Sequence, residues 1–276
     1  LGLMFALVKL AGEYGVHLVE SLFWRQLAGL PVVIVWLWSL GKLGDIYTQN
    51  PLAHALRGIL GLSSMSLNFT AMIMLPMAEA TTISFATPVF ATMLAALLLG
   101  EQTGKYRWGA IALGFAGVLL AMRPVSLAGH GIGPWVALAG ALLTSCVFIQ
   151  IRRMSVSENA GAIVFWFSLS TLAPLGVGMI FFAQNHDAVG WSLIAGLALC
   201  GAVAQLLLTS AMRHAPVAAI ATMDYSSLIW SVLFGYFIFN DMPGPGTWFG
   251  APIIIIAGLV IMWREHTVAK AKINKA

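Results

Sequence analysis

The sequence predicts an all-α integral membrane protein with ten transmembrane helices, arranged as two inverted repeats of five helices, with the first helix truncated at its start. Three observations lead to this prediction: scarce charge, long charge-free segments, and a second half that repeats the first. Charged residues make up 9% of the chain and hydrophobic residues 60%, whereas a soluble domain has about 25% charged residues. This number of charged residues is too small to cover a surface that faces water. The protein is therefore predicted to be surrounded by lipid.

Four long segments contain no Asp, Glu, Lys or Arg, and each exceeds the roughly 20 residues that a membrane-spanning helix needs. These segments are Pro124–Gln150, Asn159–His186, Ala188–Met212 and Met242–Trp263. Backbone in hydrocarbon must satisfy its own hydrogen bonds, which leaves helices or a closed barrel. Barrel strands alternate polar and apolar side chains. These segments do not alternate, so helices are predicted.

A segment of the first half recurs about 140 positions later in the chain. The matched pairs, in order, are Ala71 and Ala211, Met72 and Met212, Pro76 and Pro216, Ala78 and Ala218, Thr82 and Thr222, Phe85 and Tyr225, Phe90 and Trp230, Glu101 and Asp241, and Trp108 and Trp248. Each match is weak by itself. The ordered set, with a polar break after an apolar segment of the same length, indicates an internal repeat of about half the chain.

Glycine, proline, asparagine and charged residues mark the breaks between the predicted helices. The helices are predicted at Leu1–Ala11, His17–Leu40, Leu52–Met74, Ala78–Leu99, Lys105–Met122, Pro134–Ile151, Ala160–Ala183, Gly190–Met212, Val217–Phe239 and Thr247–Arg264. The chain starts inside an apolar segment, without a basic start or a small-residue cleavage site. The first segment is therefore predicted to be a truncated membrane helix and not a signal peptide.

Basic residues gather on one side of the predicted membrane. That side collects Lys42, Lys105, Arg107, Arg152, Arg153, Arg213, Arg264, Lys270, Lys272 and Lys275, and the other side has Lys9 and Arg123. Since Lys and Arg accumulate in cytoplasmic loops, the first side and both termini are predicted to be cytoplasmic. The net charge of +4 is therefore attributed to membrane orientation and not to nucleic acid. Repeats of five helices, an odd number, must insert in opposite orientations, which is typical of secondary transporters.

The residue types that would indicate an enzyme or a metal site do not occur in suitable patterns. The two cysteines, Cys146 and Cys200, lie in apolar segments and are predicted to be small core residues. The six histidines are scattered mostly into loops and helix ends, and no HExxH, cysteine cluster or phosphate loop is present. The sequence therefore predicts no catalytic residue, metal or cofactor. An integral membrane enzyme is kept as the disfavoured alternative.

Several short motifs occur in a fixed order along the chain. They are Arg57-Gly58-x-x-Gly61, Leu75-Pro76-Met77-Ala78-Glu79-Ala80, Thr87-Pro88-Val89-Phe90, Leu99-Gly100-Glu101, and Gly114-Phe115-Ala116-Gly117-Val118 with Arg123-Pro124. In their order and spacing these motifs resemble the EamA-type family of the drug/metabolite transporter superfamily. The resemblance covers essentially the whole chain. It implies a first repeat in residues 1–124, a second, inverted repeat in 132–265 and a basic cytoplasmic tail in 266–276. It also implies alternating access in the bacterial cytoplasmic (inner) membrane.

Members with this architecture export amino acids, including aromatic ones, so the resemblance implies a secondary transporter that exports amino acids or related small metabolites. Other members move S-adenosylmethionine, riboflavin or toxic organic compounds. These cargoes, together with nucleosides, are the alternative within the same fold. The expected partners are a small-molecule substrate and membrane lipid, with no nucleic acid, and the protein is expected to be a monomer or a homodimer.

Ionisable side chains inside a membrane are costly and usually face the interior of the helix bundle. The candidates for coupling, a gate or structural pairs are Lys9, Glu20, Arg25, Arg57, Glu79 and Asp224. Asp224 lies seven residues past Val217, about 10 Å deep at 1.5 Å per residue. It is interpreted either as a group that binds a proton or a substrate amine, or as the salt-bridge partner of Arg57.

The other charged candidates also have two interpretations each. Arg25 would bind a substrate carboxylate, since a guanidinium matches a carboxylate in two-pronged geometry, or would be held by carbonyls or by Glu20. Lys9 and Glu79 would form an ion pair at a gate, or Glu79 would simply be interfacial.

Neutral polar and aromatic side chains are predicted to line the substrate pocket. The pocket candidates are Asn68, Thr82, Ser84, Phe85, Trp166, Gln205, Asp224 and Tyr225. Asn68 and Gln205 are favoured because large amides are poor lipid-facing residues, and the alternative for the polar members is hydrogen bonding between helices. Pro88 is predicted to kink its helix beside the pocket, because proline removes one backbone hydrogen bond.

Overall fold

The computed structural model describes residues 1–48, 50–98, 105–127, 131–214 and 226–273, and the regular structure in these ranges is helical. The helices are α1 (Gly2–Glu13), α2 (Leu18–Ser39), α3 (Pro51–Met74), α4 (Met77–Ser84), α5 (Ala86–Leu98), α6 (Lys105–Leu127), α7 (Gly133–Met154), α8 (Ala160–Phe182), α9 (Ala188–His214), α10 (Ser226–Phe239) and α11 (Pro245–Ile273), with a 3₁₀ helix at Leu43–Ile46. Four segments, in α2, α7, α8 and α9, are long and apolar enough to span a membrane by length and composition. The predicted all-α class is confirmed.

Three predicted helices differ from the observed ones by more than three residues or by a break. The fourth predicted helix, Ala78–Leu99, is two helices, α4 and α5, on either side of Phe85. The fifth continues from Met122 to Leu127, and the last continues to Ile273, so most of the predicted basic tail is helical. The ninth predicted helix falls within the described ranges only from residue 226 onward.

The break between α4 and α5 follows from Pro88. A proline has no N–H and leaves the carbonyl four residues earlier without its helical donor, and that residue is Ser84, the last of α4. The Phe85 N–H instead bonds back to Thr81 and Thr82 at 3.2 Å each. The predicted distortion by Pro88 is therefore observed as a break of the helix, three residues before the proline.

The longest interface joins α6 to α11, and two glycines allow the helices to approach closely. A Cβ added at Gly250 would lie 2.7 Å from the carbonyl oxygen of Gly117, and one added at Gly117 would lie 2.8 Å from the Ile254 side chain. Small residues permit this kind of contact between membrane helices. The other extensive contacts join α3 with α7, α2 with α8, α2 with α9, and α1 with α9.

Large apolar side chains are exposed on the outside of the bundle. Ile180, Phe181 and Phe237 are each at least 75% exposed, and Phe249 is 71% exposed. Such a surface would be unfavourable in water, because the transfer of apolar surface from water into an apolar environment is favourable. Hydrocarbon removes this penalty, so the exposed apolar surface agrees with a lipid environment.

Lys9 connects α1 to the segment between α10 and α11. Its Nζ donates to Asp241 Oδ2 at 2.7 Å and to the Leu75 carbonyl at 3.3 Å, and it lies 4.8 Å from the centre of the Phe239 ring. The predicted ion pair of Lys9 with Glu79 is therefore wrong. Lys9 pairs with an acid that is remote in sequence, because the end of α10 lies beside α1.

Replacing Lys9 by alanine is expected to lower the stability of the folded protein. The buried ammonium and the partly exposed carboxylate form a pair intermediate between surface and buried salt bridges, so the loss is about 1–3 kcal/mol, or a fall in Tm of at least about 2 °C. Thermal unfolding of the purified protein in detergent measures this. Lys42→Ala, at an exposed lysine, serves as the matched control and is expected to leave Tm unchanged. An equal Tm for both variants would contradict a contribution from the Lys9–Asp241 pair.

Candidate functional site

A cavity of about 160 Å³ lies inside the bundle. Its wall contains residues of α1 to α5 and of α7 to α10, so both halves of the sequence contribute to it. Among the described lining residues none comes from α6 or α11, whose role is to pack against each other. Six predicted site residues line the cavity: Arg25, Arg57, Asn68, Ser84, Phe85 and Gln205.

Two predicted pocket residues do not line this cavity. The hydroxyl of Thr82 donates to the Ala78 carbonyl at 2.8 Å, and the side chain is fully buried between helices. The indole N–H of Trp166 donates to the Ile46 carbonyl at 2.9 Å, beside the 3₁₀ helix. Both polar groups donate to backbone carbonyls, and neither side chain is part of the cavity wall. Asp224 and Tyr225 lie outside the described residues.

Arg25 is 3% exposed and is held by uncharged groups in the part of the chain that the structure describes. Its Nη1 donates to Gln26 Oε1 at 3.1 Å and lies 2.7 Å from the Met65 sulfur, and its Nη2 donates to Gln205 Oε1 at 3.1 Å. The predicted alternative of a bond to Glu20 is wrong, because Glu20 has other partners at the start of α2. The Arg25 Nε is buried without a hydrogen-bond partner.

Arg57 is 2% exposed and lies against an aromatic ring. Its guanidinium carbon is 3.9 Å from the centre of the Phe167 ring, a distance at which a cation and an aromatic face attract each other. Its Nε and Nη1 are buried and have no hydrogen-bond partner. Its predicted partner, Asp224, is outside the described ranges.

A small polar cluster joins α3 and α7 at the cavity wall. The hydroxyls of Ser64 and Thr144 are 2.7 Å apart, and Asn68 Nδ2 donates to the Ser64 carbonyl at 2.8 Å and to Thr144 Oγ1 at 3.0 Å. The amide of Gln205 also donates to Thr209 on its own helix at 3.3 Å. Asn68 and Gln205 therefore line the cavity and also bond to protein groups, and their contact with a substrate stays a prediction.

Glu20 forms a buried cluster with a histidine near the start of α9. The Glu20 side chain is 1% exposed and accepts hydrogen bonds from the backbone N–H groups of His17 at 2.9 Å and Gln184 at 3.0 Å. The His186 Nε2 lies 3.0 Å from Glu20 Oε1. This cluster links the start of α2 to the loop that precedes α9.

Glu158 forms a second acid–histidine pair, between the loop that precedes α8 and the start of α3. Its carboxylate accepts from Thr48 Oγ1 at 2.7 Å and lies 3.7 Å from His54 Nε2. Sequence reasoning missed His186, His54 and Glu158 because their pairing joins distant parts of the chain. The available signal was that each glutamate and each histidine stands within a few residues of a predicted helix start.

The comparison with known families covers nearly the whole chain. The model of the EamA-like transporter family matches residues 1–123 and 131–263. A riboflavin transporter of Rhizobium johnstonii is 30% identical over 253 residues, which are 89% of this chain and 81% of that protein. An S-adenosylmethionine uptake transporter of Rickettsia prowazekii is 28% identical and covers 93% of this chain and 86% of its own length. A pseudopaline exporter of Pseudomonas aeruginosa is 23% identical over 94% of this chain and 90% of its own length.

The fold is also that of a solved crystal structure. This structure has a TM-score of 0.69 to the present one at 20% sequence identity, and the match covers 97% of this chain and 95% of the other. At this identity the likeness concerns the fold alone. With the family match over both halves, it leads to one conclusion: this chain belongs to the EamA-like transporter family of multi-pass membrane proteins.

Proposed function

We propose that the protein is a secondary transporter that exports amino acids or related small metabolites across the cytoplasmic membrane by alternating access. The observation that carries the proposal is the interior cavity, whose wall combines buried cations, amides and hydroxyls from both halves of the chain. Its volume of about 160 Å³ is below the roughly 300–1,000 Å³ of pockets for drug-sized ligands. This size favours a cargo of amino-acid dimensions in the conformation described.

The contacts between helices support two inverted repeats. In this scheme α1, α2 and α3 correspond to α7, α8 and α9, and α6 corresponds to α11. If each helix is replaced by its counterpart, the α3–α7 contact becomes the α9–α1 contact. In the same way the α2–α9 contact becomes the α8–α3 contact. All four of these contacts occur in the structure. The contacts α2–α8 and α6–α11 are each converted into themselves. A twofold relation of the halves accounts for this set, and a substrate site between such repeats is typical of secondary transporters.

The two acid–histidine pairs support alternating access. Glu20 and His186 join the start of α2 to the approach to α9, and Glu158 and His54 join the approach to α8 to the start of α3. The repeat scheme exchanges these two sites. Because successive membrane helices run in opposite directions, the starts of α2 and α3 lie at opposite ends of the bundle. A carrier that opens to one side at a time needs contacts that can close each end of the bundle. The two acid–histidine pairs are chemically similar contacts at the two ends.

A carrier of larger metabolites is the second candidate function. It is favoured by the relatives, which are named for riboflavin, S-adenosylmethionine and pseudopaline. For such cargoes the cavity would have to widen during transport.

The full-length protein in liposomes loaded with a mixture of amino acids is expected to release a subset of them selectively. The experiment is run with and without a pH gradient, and protein-free liposomes are the control. Asp224→Asn is expected to change the pH dependence if Asp224 carries a coupled proton. If folded protein releases no amino acid but exchanges riboflavin or S-adenosylmethionine, amino-acid export is rejected and the second candidate replaces it.

A further inference from the structure

We propose that Arg25 and Arg57 form an anion-binding site within the cavity, and that this site selects small organic acids carrying two acidic groups over neutral compounds of the same size. The inference rests on the proposed transport function, because it names the substrate class of the same cavity. Both guanidinium groups line the cavity, and both side chains are at least 97% buried (relative exposures of 3% and 2%). A buried charge in a membrane protein is unfavourable unless another charge compensates it.

Three of the other buried charged side chains in the described ranges have a partner of opposite charge or a titratable neighbour. Lys9 has Asp241, Glu20 has His186, and Glu158 has His54. For Arg25 and Arg57, no carboxylate of the described residues is within salt-bridge distance. The cavity wall, as far as it is described, therefore presents two positive charges that a bound anion would neutralise.

Both guanidinium groups also have N–H donors without a hydrogen-bond acceptor among the described residues. Arg57 Nε and Nη1 and Arg25 Nε have no acceptor, although a buried donor without an acceptor is unfavourable. One further donor of Arg25 faces the sulfur of Met65, which is a weak acceptor that a carboxylate oxygen would displace. Carboxylates accept from a guanidinium in a two-pronged geometry, so these donors suit an organic acid.

Each guanidinium lies against a glycine. A Cβ added at Gly61 would collide with Arg57 Nη1, and one added at Gly201 would lie 2.6 Å from Arg25 Nε. Gly61 on α3 and Gly201 on α9 are 140 positions apart, the same spacing that relates the matched residues of the internal repeat. The two halves thus provide corresponding hollows, each occupied by an arginine, and the hollows hold the guanidiniums at the cavity wall.

The remaining wall suits the carbon skeleton of a small acid. Phe69, Met72 and Phe148 contribute apolar surface, and Ser64 and Thr144 contribute hydroxyls. One carboxylate would leave one of the two guanidiniums uncompensated, whereas two acidic groups neutralise both. Dicarboxylates therefore match the charge of the described wall. Acidic amino acids also supply one carboxylate to each guanidinium, although their ammonium group reduces the net negative charge to one.

Binding of L-glutamate and L-glutamine to the purified protein tests the proposal, because the two ligands have nearly the same shape and differ by one charge. Isothermal titration calorimetry in detergent is expected to give glutamate a Kd at least about tenfold below that of glutamine, since a guanidinium binds a carboxylate more strongly than a neutral amide. Arg25→Gln and Arg57→Gln are each expected to abolish this preference. Arg153→Gln, at an exposed arginine at the end of α7, is the matched control and is expected to retain it. Equal affinity for the two ligands in the unaltered protein would overturn the proposal.

The Tm without ligand separates a binding role from a structural one. If the arginines bind a substrate and have no counter-charge in the ligand-free protein, Arg57→Gln is expected to leave Tm unchanged or to raise it. The reason is that the substitution removes an uncompensated buried charge. If Arg57→Gln and Asp224→Asn instead both lower Tm, and the double variant is no less stable than either single one, the two residues form an internal salt bridge and the site is refuted.

Gly61→Ala provides a test that retains both arginines. The added methyl group is expected to displace the Arg57 guanidinium and to weaken glutamate binding about tenfold or more, whereas Gly176→Ala, where the nearest side-chain atom is 3.9 Å from the new Cβ, is expected to bind normally. Unchanged binding in Gly61→Ala would count against the role of this hollow. If glutamate binds but is not transported, the proposed transport function is refuted and the anion-binding site is retained. If neutral amino acids are transported without a preference for glutamate, the transport function is retained and the anion-binding site is refuted.

Discussion

Replacing Gly250 by leucine is expected to prevent the protein from folding, because α6 and α11 meet there backbone to backbone. A Cβ at this position would lie 2.7 Å from the Gly117 carbonyl oxygen, 2.8 Å from Ala121 Cβ and 2.9 Å from the Ala121 nitrogen. These are backbone and near-backbone atoms, which cannot rotate away as the end of a long side chain can. Overpacking of a tight interface is unfavourable by about 1–3 kcal/mol, and a leucine against backbone exceeds that range.

Size-exclusion chromatography and thermal unfolding in detergent measure this effect. The expected result is loss of the monodisperse peak, or a Tm too low to allow purification. Gly109→Leu is the matched control, since Gly109 lies on α6 and a Cβ there would meet nothing within 4 Å. This control is expected to fold normally, because leucine favours a helix more than glycine does. A Gly250→Leu protein with an unchanged Tm would show that α6 and α11 do not form this interface.

Replacing Glu20 by alanine is expected to destabilise the protein by about 3 kcal/mol or more, because one carboxylate serves three donors. The backbone N–H groups of His17 and Gln184 and the ring of His186 all face it within 3.0 Å. Each buried donor left without an acceptor is unfavourable by about 1–3 kcal/mol. One of these three hydrogen bonds, from the His17 N–H, is the Glu20 half of the capping box at the start of α2.

Thermal unfolding of Glu20→Ala beside Glu13→Ala checks this prediction, because Glu13 is an exposed glutamate at the end of α1. The control is expected to keep its Tm. Glu158→Ala is expected to fall between the two variants, since Glu158 accepts one hydrogen bond, from Thr48, and lies 3.7 Å from His54. A Glu20→Ala protein as stable as Glu13→Ala would mean that the closure between α2 and the approach to α9 contributes nothing to the folded state.

The class of protein and most of the helix boundaries could be predicted from the sequence because they depend on local quantities. A segment without charge and long enough to cross the hydrocarbon forms a helix whatever its neighbours are. Pro88 predicted a distortion of its helix for the same reason, since proline removes a hydrogen bond within that helix. Amides such as Asn68 and Gln205 could be assigned to the interior because lipid offers them no partners.

Only the tertiary structure decided which face of each helix meets the cavity. At 1.5 Å per residue the sequence measures depth along a helix, but depth does not specify the neighbour that a side chain meets. Thr82 and Ser84 are two residues apart on α4, and residues at that spacing do not share a helix face. Ser84 lines the cavity, whereas Thr82 is buried between helices. Trp166 was predicted to line the pocket, but its indole N–H donates to the carbonyl of Ile46 in the 3₁₀ helix.

The partners of the charged residues also required the assembled fold. Lys9 and Asp241 are 232 positions apart, and Arg25 and Gln205 are 180 positions apart. The sequence by itself indicated that few charges lie within the predicted membrane helices and that each is unfavourable there without compensation, because hydrocarbon solvates ions poorly. Which of them compensate one another, and which two face the cavity without a described counter-charge, is determined by helix contacts between the two halves, and those contacts exist only in the folded chain.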